Sequence, residues 1–101
     1  MNSFGISDAA FAQIVNKLES FDFIEKAVIF GSRAKGNYKK YSDIDICLFG
    51  GLDSFDAERV RTALNDLNVI YQFDVVVYES ITTDALREHI DRAGVPIFLL
   101  D

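Results

Sequence analysis

Cysteine is nearly missing from this chain. Cys47 stands alone among 101 residues, which excludes a disulfide scaffold and a thiolate metal centre. Basic side chains are also scarce. Ten Lys and Arg against sixteen Asp and Glu leave a net charge of −6, so there is no broad basic face to neutralise a phosphate backbone, and direct nucleic-acid binding is not expected. No apolar run approaches the roughly 20 residues that a membrane span needs. The N-terminus lacks the basic region and apolar stretch of a secretory signal. The expectation is a cytoplasmic protein with no membrane contact. A Walker-type Gly-x-x-x-x-Gly-Lys-Ser/Thr loop is absent too, which disfavours a phosphate-loop ATPase. Internal repeats, low-complexity tracts and linkers are not found.

Apolar residues, by contrast, are plentiful. Half of the chain is hydrophobic and nine residues are Phe, enough to fold one compact domain over residues 1–101 but not a second. Helix-like and strand-like segments alternate. Residues Ser7 to Glu19 place Phe11, Ile14, Val15 and Leu18 on one stripe, with Ser7 as N-cap and Asp8 in the first turn. Ala27 to Phe30 is a short buried-strand pattern ending at glycine, and Ser32 to Lys39 reads as a short helix or turn. Ile44 to Phe49 is a second strand, stopped by Gly50-Gly51. Ser54 to Leu67 is a helix with Val60, Ala63, Leu64 and Leu67 facing inward. Phe73 to Tyr78 is a valine-rich strand. Thr83 to Ala93 is a last helix with Leu86, Ile90 and Ala93 on one face and Gly94 and Pro96 as stop signals. Ile97 to Leu100 is a final strand or a docked tail. The expected fold class is α/β: a small mixed sheet of three to four strands covered by helices.

Two short segments carry chemistry. Gly31-Ser32-Arg33-Ala34-Lys35-Gly36 leaves the first strand, and Ser42-Asp43-Ile44-Asp45 enters the second, with ten residues between Ser32 and Asp43. Gly31 permits close approach or positive φ, Ser32 offers a hydroxyl, and amides at a helix start favour an anion. Arg33 and Lys35 add positive charge nearby and read as solvated or loosely phosphate-steering. In an extended segment Asp43 and Asp45 project to one side, and Ile44, Ile46 and Leu48 to the other. Adjacent carboxylates repel unless a cation neutralises them. Asp74, between Phe73 and Val75, would complete a three-carboxylate cluster if its strand pairs beside the second. Oxygen donors of this kind suit Mg²⁺ or Mn²⁺, with phosphate oxygens and water completing the shell.

This arrangement resembles the minimal nucleotidyltransferase family of the polymerase-β-like superfamily. The resemblance rests on Gly31-Ser32, the ten-residue spacing, Asp43-x-Asp45, the strand-borne Asp74, and Ala34, Gly36 and Ser42 within the longer pattern. It implies a nucleotidyltransferase core that moves a nucleoside monophosphate from a triphosphate to a hydroxyl. Gly31 and Ser32, with Arg33 beside them, would bind the nucleotide. Asp43, Asp45 and Asp74 would be the catalytic carboxylates and would hold two Mg²⁺ ions, with Asp74 nearest the acceptor.

Nothing in so short a chain supplies an acceptor-binding domain, so the acceptor is expected on a partner. Small proteins with this pattern resemble the antitoxin halves of toxin–antitoxin modules, whose partners are helical HEPN-type ribonuclease toxins, and some transfer AMP from ATP onto a toxin tyrosine. Two other readings stand beside this one: a non-catalytic antitoxin that acts by complex formation, and a small-molecule nucleotidyltransferase whose pocket is completed by a homo-oligomer. Individual residues also have bland readings. An Asp at a strand start is often a turn residue, Tyr38-Lys39-Lys40-Tyr41 reads as a solvated loop or a ligand contact, Cys47 as a small core residue, and His89 has no assigned role.

Overall fold

The computed structural model describes residues 2–100, and residues 1 and 101 of the expected domain lie outside them. Helix α1 (Asp8–Glu19) begins where Ser7 accepts a hydrogen bond from the Ala10 amide at 3.2 Å, and Asp8 lies in its first turn. Ala10, Ile14 and Leu18 are buried, whereas Phe11 and Val15 flank them half-buried. Strand β1 (Lys26–Phe30) leads through Gly31 into a single-turn helix α2 (Ser32–Lys35), which ends at left-handed Gly36. Strand β2 (Ile44–Phe49) follows. Helix α3 (Ser54–Asn65) starts with a reciprocal cap: the Asp53 carboxylate accepts from the Asp56 amide at 2.9 Å, and the Asp56 carboxylate accepts from the Asp53 amide at 3.2 Å. Such caps contribute about 1 kcal/mol. Strand β3 (Phe73–Val77) runs into a 3-10 turn at Tyr78–Ser80, and helix α4 (Asp84–Ala93) leads into strand β4 (Val95–Leu99).

The four strands form one mixed sheet in the order β3-β2-β1-β4. β1 is antiparallel to both β2 and β4, while β2 and β3 run parallel. Alternation along β2 sends its side chains to two different cores. Ile44, Ile46 and Leu48 face a large cluster with Ile14 and Leu18 of α1 and Val60 and Leu64 of α3. Cys47 faces a smaller cluster with Val28 and Phe30 of β1 and Ile90 of α4. Thus α1 and α3 cover one face and α4 the other. Each fully buried Leu or Ile contributes roughly 1.5–3 kcal/mol.

Two expected bounds need correction. The helix expected over Ser54 to Leu67 ends at Asn65, because the Asp66 and Leu67 amides close the last turn onto Thr62 and Leu64. The last strand, expected over Ile97 to Leu100, begins at Val95, so Pro96, beyond the helix end at Ala93, lies inside β4 and pairs in register with Val28. An edge strand tolerates the missing amide hydrogen. The turn from α4 into β4 is made by Gly94 alone, where an added Cβ would lie 2.5 Å from both the Ile90 carbonyl oxygen and Val28 Cγ1.

Candidate functional site

Parallel pairing of β2 with β3 brings Asp45 and Asp74 into direct register. Asp45 is also the cross-strand partner of Phe30, the residue before Gly31. Asp43 precedes β2 by one residue and Asp45 by two, so an extended chain presents both carboxylates on one side. That side is the one α4 covers, because Phe30, Cys47 and Val76 on it belong to the smaller core. The three aspartates therefore collect at one end of the sheet beside the turn from β1 to α2. Asp43 and Asp74 are exposed and Asp45 is half-buried. Burial, then the charge on Asp74, then that on Asp43, push the Asp45 carboxyl above its usual range. Asp45 thus lies within electrostatic reach of both Asp74 and Asp43.

Gly31 is held at φ +74, and a Cβ there would lie 2.4 Å from Asp45 Oδ2. The motif glycine is therefore needed twice over, for its conformation and for the carboxylate packed against it. Its amide is engaged: Gly31 N–H donates to His89 Nε2 at 3.0 Å. Ser32 is half-buried at the start of α2.

Arg33 is not solvated, as the sequence had suggested, but 1% exposed. Its Nε and Nη2 donate to the Ser42 carbonyl at 3.1 and 2.8 Å, Nη1 to the Phe4 carbonyl at 2.8 Å, and Nη2 also to the Lys40 carbonyl at 3.4 Å. Tyr38 and Tyr71 each hold a ring 5.0 Å from the guanidinium carbon. With its donors turned onto carbonyls, the side chain is spent on holding the loop rather than offered to a phosphate. Lys35 is exposed. In the intervening loop Tyr38 packs inward, the Lys39 amide donates to Ser42 Oγ at 2.8 Å, and Tyr41 is 79% exposed.

Among the described residues, no three His, Cys, Asp or Glu side chains form a closed metal cage. Mg²⁺, however, is commonly held by one or two carboxylates together with substrate phosphates and water rather than by an all-protein cage. Its hard-oxygen preference matches Asp43, Asp45 and Asp74, and a cation would relieve the mutual repulsion felt at Asp45. The donor set fits.

His89 was missed by the sequence reading. A lone His on the polar side of a helix carries no local signal, and only the packing of α4 across the sheet brings it to Gly31.

The same fold occurs in known proteins. A chain from the crystal structure of a toxin–antitoxin with AMP-PNP superposes with a TM-score of 0.71 at 17% identity, covering 95% of this chain and 76% of the other. The complex of tri-AMPylated Shewanella oneidensis HEPN toxin with MNT antitoxin contains a chain that superposes with a TM-score of 0.69 at 18% identity, covering 94% and 74%. In sequence, the Probable protein adenylyltransferase MntA of Haemophilus influenzae is 33% identical over 70 residues, which make up 67% of this chain and 60% of that protein. This chain thus matches somewhat less than two thirds of that relative's length. The family described as Polymerase beta, Nucleotidyltransferase matches residues 12–101, nearly the whole chain, and the chain belongs to that family.

Proposed function

We propose that the chain is a Mg²⁺-dependent nucleotidyltransferase that moves AMP from ATP onto a hydroxyl of a partner protein, a HEPN-type ribonuclease toxin for which it acts as antitoxin. The observation that carries the reading is the register of Asp45 with Asp74, beside a glycine packed against Asp45. Two carboxylates on neighbouring strands and a third two residues upstream, next to a Gly-Ser turn, are what transfer at an α-phosphorus requires. The similarity to an adenylyltransferase, and to chains crystallised with AMP-PNP or with an AMPylated HEPN toxin, supports the choice of nucleotide and partner.

Asp43, Asp45 and Asp74 would hold the cations, which when bound supply charge neutralisation at the phosphates and activation of the acceptor oxygen. The protein's own work is positional. Gly31 admits the triphosphate close to the sheet, and Ser32 offers a hydroxyl to a phosphate oxygen. Asp74, exposed on edge strand β3, lies open to an incoming acceptor, and it accepts the proton of the attacking hydroxyl. Arg33 keeps the segment leading to Asp43 in place through the Ser42 carbonyl.

Co-expression with the helical partner and α-labelled ATP tests the reading. Wild type is expected to label the partner, and Asp43→Ala/Asp45→Ala to leave it unlabelled and toxic. If wild type transfers no label while the double variant still neutralises the partner, the protein acts by complex formation alone and the catalytic reading fails.

A further inference from the structure

The hydrogen bond between Gly31 and His89 joins parts of the chain 58 residues apart. An amide that donates to a ring nitrogen needs a lone pair there, so the imidazole is neutral with its proton on Nδ1. The ring has an aromatic neighbour, and its helix is anchored beside it. Phe30, the residue before Gly31, meets it edge-on with centroids 6.1 Å apart at 70°, and the adjacent Ile90 is buried in the smaller core with Val28 and Phe30. Burial, followed by the charges of Lys35 and Arg92, pushes the imidazole below its ordinary range, which keeps it an acceptor at neutral pH. On its other side Gly31 lies against Asp45. A single bond therefore ties α4 to the turn that borders the carboxylates.

We propose that His89 is a positioning residue of the nucleotidyl-transfer site, which locks the positive-φ turn at Gly31 and withdraws the Gly31 amide from phosphate binding. The Ser32 hydroxyl is then the first donor of the motif that a triphosphate meets, and the role of Gly31 is shape rather than donation. The proposal rests on the reading of this segment as a triphosphate grip.

Amide hydrogen exchange and ¹⁵N spectra of the full chain test it, first without nucleotide and then with AMP-PNP and Mg²⁺. In the nucleotide-free protein the Gly31 amide is expected to exchange about tenfold more slowly in wild type than in His89→Ala. His89→Gln, whose side-chain oxygen can accept the same bond, restores most of the protection. If the alanine variant fails to fold, His89→Asn, too short to reach Gly31, replaces it. With AMP-PNP and Mg²⁺ added, Gly31 stays protected and the His89 ring keeps the Nδ1–H form. The dissociation constant for AMP-PNP rises about tenfold in His89→Ala and by no more than about threefold in His89→Gln, the former equivalent to about 1.4 kcal/mol. Equal Gly31 exchange in wild type and His89→Ala overturns the lock. Loss of Gly31 protection on AMP-PNP binding overturns the withdrawal of the amide and makes His89 a displaceable cap. If wild type binds no AMP-PNP, the nucleotide reading falls, and the withdrawal of the amide with it. The exchange comparison without nucleotide still decides whether His89 holds the turn.

Discussion

A half-buried carboxylate beside two others is costly to ionise without a counter-charge, and Asp45 is in that position. Its raised carboxyl range has a defined sign. The stabilisation it brings is full below the unfolded carboxyl's value of 3.8 and is lost as pH rises through the folded value. At neutral pH without metal, ionised Asp45 therefore works against the fold. Asp45→Asn is expected to melt at a higher temperature than wild type in metal-free buffer while losing transfer activity by on the order of 10³-fold or more, because the carboxylates act as a unit. Calorimetry and label transfer on the same preparation check both signs. Cys47 lies between the sheet and α4, and burial, then Asp91 and Glu79, push its thiol from 9.0 to about 12. The native thiol should resist alkylation until the protein unfolds. The stability of wild type relative to Cys47→Ala is expected to hold below pH 9.0 and to fall as pH climbs toward 12, by up to about 1.4 kcal/mol per pH unit. Denaturant titrations at several alkaline pH values would measure the difference.

Among the elements, the loop between α2 and β2 depends most on one side chain. Arg33 satisfies carbonyls at Phe4, Lys40 and Ser42 from between two tyrosine rings. Arg33→Met keeps much of the apolar volume but strands these carbonyls, at an expected cost of about 3 kcal/mol, or a melting temperature lower by roughly 10–20 °C. Arg33→Lys should recover little, since an ammonium cannot reproduce the fork on Ser42. Thermal denaturation of the two variants distinguishes this from a merely solvated arginine, whose replacement would change stability by less than about 0.5 kcal/mol. Most elements were legible in the sequence because their signals are local. The Ser7 cap, the stripe through Ile14 and Leu18, and the apolar run of β2 each state their own structure. Arg33 was misread for the opposite reason: it follows Gly-Ser in a charged, glycine-flanked stretch, and its partners are carbonyls of the loop that curls back over it and of Phe4, which lies 29 residues away. The start of β4 was hidden in the same way, because whether Val95 and Pro96 join a sheet edge depends on the neighbours the strand acquires.

At the scale of the molecule, the mixed sheet explains why the site lies where it does. The parallel step from β2 to β3, with α3 as the crossover, aligns the entrances of two strands, and Asp45 and Asp74 occupy matching positions there. If the site takes a nucleotide and cations together, binding to the native state alone must stabilise it. ATP with Mg²⁺ at about 100 times the dissociation constant should add about 2.7 kcal/mol, a rise of roughly 10–20 °C for a chain of this size. Asp43→Asn/Asp45→Asn should show no such rise. Thermal shift of both proteins, with ATP alone and Mg²⁺ alone as controls, gives the answer, and an equal shift in the double variant would move nucleotide binding away from the carboxylates.

The sequence by itself determined the element order up to the last helix, the helix stripes, the α/β class and the two motif segments with their spacing, because each depends on neighbours within a few residues along the chain. The place of Asp74 at the start of a valine-rich strand also brought it under suspicion, though only conditionally, since a strand's sequence does not say which strand it will lie beside. Tertiary structure decided that condition through the parallel register of β2 and β3. It also turned Arg33 from a solvated charge into the hub of a loop, and brought His89 to the motif glycine. Contacts of this kind join residues distant along the chain, and they exist only once burial of two cores has fixed where the sheet and helices sit.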